Sequence, residues 1–343
     1  MKILYVSFHN PHFFTITEYV ERAIRGLGHE LISFDDRQFV FPGRLREKLA
    51  LLQKFDLKRI NQQLITLVKK AKPDICLVSG GYRILPATVE KIKRLKIKTV
   101  LWTSDVPRHL PSLESFGCAY DFVFCGGTEA IEMLAKAGIN NARWLPFGCD
   151  KELHKPVDVS KTEQAYYGAD VVFIGSLGVR EYSFRVKILE AISEYDLKVW
   201  GPGAEEIECS SALKKHIRGP GMTPQGWCKA YSLAKIGLCM HFRDPEGKVP
   251  CYQASPRVFE ILACKCFLLV DKQPDVLSLF EDGKHLVVFE DADDLRRKIK
   301  YYLEHAQERI TISEAGYALV HEQHTYTQRI RKLLEIIRGD DGE

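Results

Sequence analysis

Three stretches of this chain carry the residue types and spacings that chemistry would need. The first is VVFIGSLGVREYSFR, residues 171–185, where an apolar run ends in Gly175, Ser176 and Gly178, with Arg180 and Arg185 close behind. Glycines let main-chain N–H groups approach an anion, a helix start adds partial positive charge, and an arginine can grip a phosphate through two parallel hydrogen bonds. A plain strand-to-helix turn with solvated arginines would use the same residues. The stretch is neither a G-x-G-x-x-G fingerprint nor a P-loop, for no Gly-Lys-Ser/Thr follows. The second is CYQASPRVFEILACKCFLLVD, residues 251–271. Ser255 before Pro256 is a helix start, leaving N–H groups beside Arg257 for phosphate oxygens. Glu260, three residues on, shares that face and suits the two hydroxyls of a ribose; the plain alternative is a surface Arg–Glu pair. The third is LWTSDVPRHL, residues 101–110, where Asp105 and His109 could orient or deprotonate an acceptor hydroxyl. A lone Asp before a turn is also a common cap.

Metal chemistry finds little support. His9 and His12 lie in the loop after the first strand, with no carboxylate at metal-ligand spacing, so acceptor contact or a plain loop is expected. The one Asp-x-Asp, Asp291-Ala-Asp293, opens an amphipathic helix and reads as acids complementing its dipole. No metal site and no cofactor are expected.

Alternating strands and helices must position these groups. Strands are expected at Ile3–Phe8, Glu30–Phe34, Ile75–Ser79, Thr99–Ser104, Phe122–Cys125 and Arg143–Phe147, with helices at Thr15–Leu27, Leu57–Lys70 and Thr128–Ala137. These strands are apolar on both faces, as strands covered by helices on both sides must be. Residues 148–169 are polar and aperiodic and read as an interdomain linker. The rhythm resumes with strands at Asp170–Ser176, Leu197–Gly201, Ile236–Phe242, Phe267–Asp271 and His285–Phe289, and helices at Tyr182–Tyr195, Gln225–Ala234 and Ser255–Ala263. The expectation is an α/β protein of two Rossmann-like, doubly wound parallel-sheet domains facing across a crevice.

Composition agrees. The chain has 343 residues, room for two cores, and is 45% hydrophobic and 27% charged, as ordinary globular proteins are. A net charge of +4 without a basic stripe argues against nucleic acid and suits a small phosphate-bearing ligand. Ten cysteines without a C-x-x-C pair, several in apolar runs, read as free thiols in a reducing compartment. The opening MKILYVSFHN is a strand, too short in its apolar run for a signal or a span. A cytoplasmic protein is expected. Helix Leu45–Lys70 is basic and partly amphipathic, which leaves membrane-surface contact open without making it the expectation.

TEAIEMLAKAGINNARWLPFGCDKELHKP, residues 128–156, is similar to the end of the N-terminal domain in GT-B glycosyltransferases of the family 4 type. Thr128, Gly138, Pro146, Gly148, Asp150 and Pro156 match, and His154 stands where an aromatic is usual. The second half resembles the CgeB-like glycosyltransferases through FIGS with a downstream Arg, Trp200-Gly201, Arg257-x-Phe259-Glu260 and the closing HTYTQR, residues 324–329. The resemblance implies an acceptor domain over 1–148, a nucleotide-sugar domain over 149–323, and a C-terminal helix over 324–343 crossing back to the first domain. It also implies donor contacts from Gly175, Ser176, Arg185 and Arg180, from Gly201, from the base-recognising loop with Pro220 and Met222, and from Ser255, Arg257 and Glu260. Two departures stand out. Relatives carry paired glutamates eight residues apart, whereas Tyr252 holds the first position; and Lys265 replaces the glycine that closes the helix of Glu260.

The implied activity is metal-independent transfer of a sugar, retaining by family, from a nucleoside-diphosphate sugar to a glycan, lipid-linked or protein acceptor hydroxyl. Diphosphate charge would fall on helix N-termini, Arg185 and Arg257, with Asp105 or His109 acting on the acceptor. A sugar-nucleotide epimerase, or a non-catalytic GT-B-like protein that binds a ligand or partner, would use the same scaffold.

Overall fold

The computed structural model describes residues 1–103, 110–178 and 182–339. They form two compact units, one of residues 1–146 with 329 onward, the other of residues 147–328.

The first unit holds six parallel strands, β1 (Lys2–Ser7), β2 (Glu30–Asp35), β3 (Ile75–Ser79), β4 (Lys98–Thr103), β5 (Phe122–Cys125) and β6 (Ala142–Trp144), in the order β2-β1-β3-β4-β5-β6. Helices α1 (Ile16–Gly26), α2 (Gly43–Lys48), α3 (Ala50–Ala71), α4 (Pro86–Lys93), α5 (Leu110–Gly117) and α6 (Thr128–Lys136) connect them. Local chemistry sets the ends. Thr15 and Glu18 make a reciprocal capping box at the start of α1, and Pro86 takes the first position of α4. Leu4, Val6, Cys76, Val78, Leu101 and Val123 carry the core, packed against Ile60, Leu64 and Val68 of α3.

The second unit repeats the plan with β7 (Val171–Ile174), β8 (Leu197–Trp200), β9 (Ile217–Gly219), β10 (Ile236–Cys239), β11 (Phe267–Asp271) and β12 (Val287–Phe289), all parallel, in the order β12-β11-β10-β7-β8-β9. Its helices are α7 (Lys161–Tyr167), α8 (Ser183–Glu190), α9 (Pro224–Leu233), α10 (Pro256–Ala263), α11 (Pro274–Leu279), α12 (Ala292–Glu304) and α13 (Ala306–Gln323). The last helix, α14 (Tyr326–Gly339), starts among residues of the second unit and is counted with the first from Arg329 onward. There Ile330, Leu333 and Ile337 are buried, and the Lys98 ammonium donates to the Ile337 carbonyl near the helix end (3.1 Å).

Residues 148–169 are no linker. Cys149 exchanges main-chain hydrogen bonds with His324 and Tyr326 (2.9 and 3.0 Å), and the Asp150 carboxylate accepts from the amides of Glu152 and Leu153. Ser160 and Glu163 box the start of α7. The polar residues of this stretch close turns and cap a helix, which is why no hydrophobic period shows. Asp291 caps α12 by accepting from the Asp294 amide (2.8 Å), so the Asp-x-Asp serves the helix.

Candidate functional site

Within the second unit, β7 comes first in sequence; β8 and β9 lie on one side of it and β10 to β12 on the other. Open α/β sheets receive ligands beyond the carboxyl ends of their strands where the order reverses, here between β7 and β10. The loop after β7 is Gly175 to Gly178, and that after β10 begins Met240-His241. The β7 loop rests on the one after β8: the Gly175 amide donates to the Trp200 carbonyl and the Leu177 amide to the Pro202 carbonyl. Main chains approach so closely that a Cβ on Gly201 would lie 1.7 Å from the Gly175 oxygen, so only glycine fits. Gly201 thus earns its place by packing.

Arg185, expected at the donor phosphates, is largely buried in α8. Its Nη1 donates to the Ser176 carbonyl (3.0 Å) and its Nη2 to the Met240 carbonyl (2.6 Å), while Nε has no hydrogen-bond partner among the described residues. Burial lowers its pKa from the ordinary arginine value. The guanidinium therefore braces the two loops of the switch point against each other, a use that the type and spacing of the residue could not announce.

His241, next to Met240, continues the chain of contacts. The Ser255 amide donates to its Nε2 (3.0 Å), so the ring proton sits on Nδ1 and is given to Asp271 Oδ1 (2.7 Å), which also accepts the His241 amide (2.9 Å). Asp271 is fully buried, and Gln273 Nε2 donates to its other oxygen (3.3 Å), with Arg243 at 3.5 Å. Burial works to raise the carboxyl's pKa, but the ring and amide hydrogen bonds from His241, together with the charge of Arg243, outweigh it, and the value falls below the ordinary one. Ser255 in turn caps α10, its Oγ accepting from the Arg257 amide (3.3 Å). Ser176, Arg185, Met240, His241 and Ser255 thus form one connected frame beneath the start of α10.

On that helix Arg257 and Glu260 meet, as the spacing predicts, with Nη1 2.7 Å from Oε2. Glu260 is buried and Arg257 partly so, which sets the pair apart from a solvated surface bridge. The Arg257 guanidinium lies over the Trp227 ring of α9 at 4.4 Å. On the far side of Glu260, His154 Nε2 stands 4.0 Å from Oε1; His154 accepts the Asp150 amide at Nδ1 (3.0 Å), which places its proton on the nitrogen facing the carboxylate. Met222 packs on Gly226 of α9, and Pro220 is exposed just after β9.

Asp105, His109 and Arg180 lie outside the described residues. In the first unit the order reverses between β1 and β3, and His9 follows β1 there. Its Nε2 lies 2.8 Å from Oε1 of Glu21 on α1, a carboxylate twelve residues away in sequence, which also accepts from Ser33 Oγ. Sequence reasoning missed His241, Asp271, Trp227 and Glu21. For His241 and Asp271 a signal existed: Asp271 ends a strand of otherwise apolar side chains, and His241 follows two residues after the apolar strand β10.

Comparison with known proteins adds the chemistry. Residues 180–335 match a family described as glycosyl transferase-like. Among solved structures, a sucrose-phosphate synthase from Thermosynechococcus elongatus superposes with a TM-score of 0.71 at 14% identity, covering 99% of each chain. HepE of Anabaena, solved with UDP, gives 0.66 at 11% identity, over 99% of this chain and 100% of that one. Two parallel sheets of this topology form a GT-B fold, and the second half of the chain is similar to the glycosyl transferase-like family. The chain is also similar to the spore protein CgeB of Bacillus subtilis (strain 168), at 22% identity over 281 residues, 78% of this chain and 84% of the relative.

Proposed function

We propose that the enzyme transfers a sugar from a uridine-diphosphate sugar to an acceptor hydroxyl, with retention and without a divalent cation. The observation that carries this reading is the frame joining both anion-suited segments: Arg185 ties Ser176 to Met240, and His241 ties the next residue to Ser255 at the start of α10. The uridine choice rests on HepE, solved with UDP on the same fold. In the proposed complex the diphosphate lies against Arg257 and the main-chain amides around Ser176 and α10. Glu260, released from Arg257, accepts the ribose hydroxyls. Departure of the diphosphate builds negative charge, which the helix start and Arg257 stabilise in place of a metal. The acceptor is a glycan, a lipid-linked sugar or a protein.

The test is UDP release from a panel of UDP-sugars in the presence of a chelator. Arg257→Ala should fold and lose kcat/KM by about a thousandfold, roughly 4 kcal/mol of transition-state stabilisation. Turnover close to that of the parent enzyme, or turnover abolished by the chelator, overturns the reading. One observation favours a second stereochemical course. His9, held by Glu21 at the switch point of the first unit, has its Nδ1 left to take a hydroxyl proton, as a direct inverting displacement would require. The anomeric configuration of the first product, read by proton NMR, decides between retention and inversion.

A further inference from the structure

Large apolar side chains that remain exposed gather in one place. Val40 (60% exposed), Leu45 (47%), Leu49 (53%), Leu51 (80%) and Phe55 (56%) fall within sixteen residues spanning the segment after β2, α2 and the first turns of α3. Helix α2 buries none of its residues. On α3, Leu51, Lys54, Phe55 and Lys58 recur at the spacing of one helical face, while Ile60, Leu64 and Val68 bury the other. Monomeric proteins seldom expose so continuous an apolar patch without using it.

The segment is held in this posture. The fully buried Asp56 carboxylate accepts from the amides of Val40 (3.0 Å) and Phe41 (3.3 Å) and lies 3.8 Å from both Arg46 and Arg59. Arg46 stacks on Phe39 at 3.6 Å, and the rings of Phe41 and Phe55 meet edge to face. A buried charge with four partners thus fixes a helical hairpin whose outward side is greasy. Around the apolar residues stand exposed Arg44, Lys48, Lys54 and Lys58; Glu47 is the one acid of Val40–Lys58 that reaches solvent.

We propose that the α2–α3 hairpin docks on an anionic lipid bilayer, with Leu45, Leu49, Leu51 and Phe55 entering the head-group region and the lysines and Arg44 lying over lipid phosphates. Interleaved apolar and cationic side chains on an exposed hairpin face suit a fluid anionic surface. A second copy of this chain fits badly, since self-pairing of the face would bring Lys54 and Lys58 against like charges. Among the described residues no helix is long and apolar enough to cross a membrane, so the contact is superficial. The inference stands apart from the donor reading.

Sedimentation of the full chain with sucrose-loaded vesicles tests it, using phosphatidylcholine alone and phosphatidylcholine with about one-third phosphatidylglycerol. Binding is expected to the anionic vesicles, to weaken in high salt, and to fall at least about tenfold in Leu51→Glu/Phe55→Glu, with circular dichroism unchanged. Lys54→Gln/Lys58→Gln, which leaves the apolar face intact, should lose the preference for anionic over neutral vesicles. The proposal is overturned if the parent chain stays in the supernatant at low salt. Binding unaffected by both double variants overturns it too, as does a lipid-free dimer, seen by analytical ultracentrifugation, that Leu51→Glu/Phe55→Glu dissolves.

Discussion

At the scale of single residues, the second unit turns on polar side chains whose task is to hold other groups. His241 offers a lone pair to the Ser255 amide and a proton to Asp271. Removing the ring as His241→Ala leaves the Ser255 amide without its acceptor and the Asp271 carboxylate short of a donor, each a cost of about 1–3 kcal/mol. We expect the donor KM to rise about tenfold, equivalent to about 1.4 kcal/mol, with kcat little changed. His241→Gln, which can still accept from Ser255, should recover part of that loss. A residue that merely filled space would be rescued by shape instead, so His241→Phe is the informative control. Asp271 sets a pH dependence as well. Its native pKa lies below the ordinary 3.8, so its contribution to stability is fully present above that value and is lost as pH falls through the native one. Urea melts between neutral pH and pH 3 should therefore show an acid-side decline that Asp271→Asn lacks.

At the scale of elements, α10 carries the Arg257–Glu260 pair proposed to hold the donor at one end and a strained closure at the other. Lys265, just beyond its last turn, adopts φ 58, the left-handed conformation that glycine takes without a steric penalty. The sequence departure noted there therefore falls on the position where a side chain costs most. Its ammonium reaches Glu314 at 2.9 Å, but both groups are well exposed and such pairs contribute little. Lys265→Gly should stabilise the protein by about 0.5–1 kcal/mol, read as a shift in urea midpoint at unchanged slope, and leave donor KM unaltered.

At the scale of the whole molecule, the two sheets carry separate cores, and the groups proposed to hold the donor all belong to the second unit. A nucleotide bound only by the native state raises stability by about 2.7 kcal/mol at a hundredfold excess over its Kd. UDP should therefore raise the melting temperature with a chelator present, and Arg257→Ala should abolish that rise. A shift that requires a divalent cation would contradict the proposed cradle.

Much of this architecture is legible in the sequence. Apolar runs bounded by glycine and polar residues marked the β3 and β5 strands at their observed ends, Ile75–Ser79 and Phe122–Cys125. Ser255-Pro256 marked the start of α10, and Arg257 and Glu260 were paired by their spacing on it. These features are local: strand periodicity, helix capping and the rise of a helical turn are written within a few residues of chain. What the chain order could not disclose were meetings across distance. Asp271 finds His241 thirty residues away, Arg185 clasps the carbonyls of Ser176 and Met240, and Glu21 reaches His9 only because α1 folds back over β1. Residues 148–169 look irregular in isolation because their partners, His324 and Tyr326, lie near the far end of the chain. Such contacts depend on which strands become neighbours in the sheet, a cooperative outcome of packing that no short window of sequence contains.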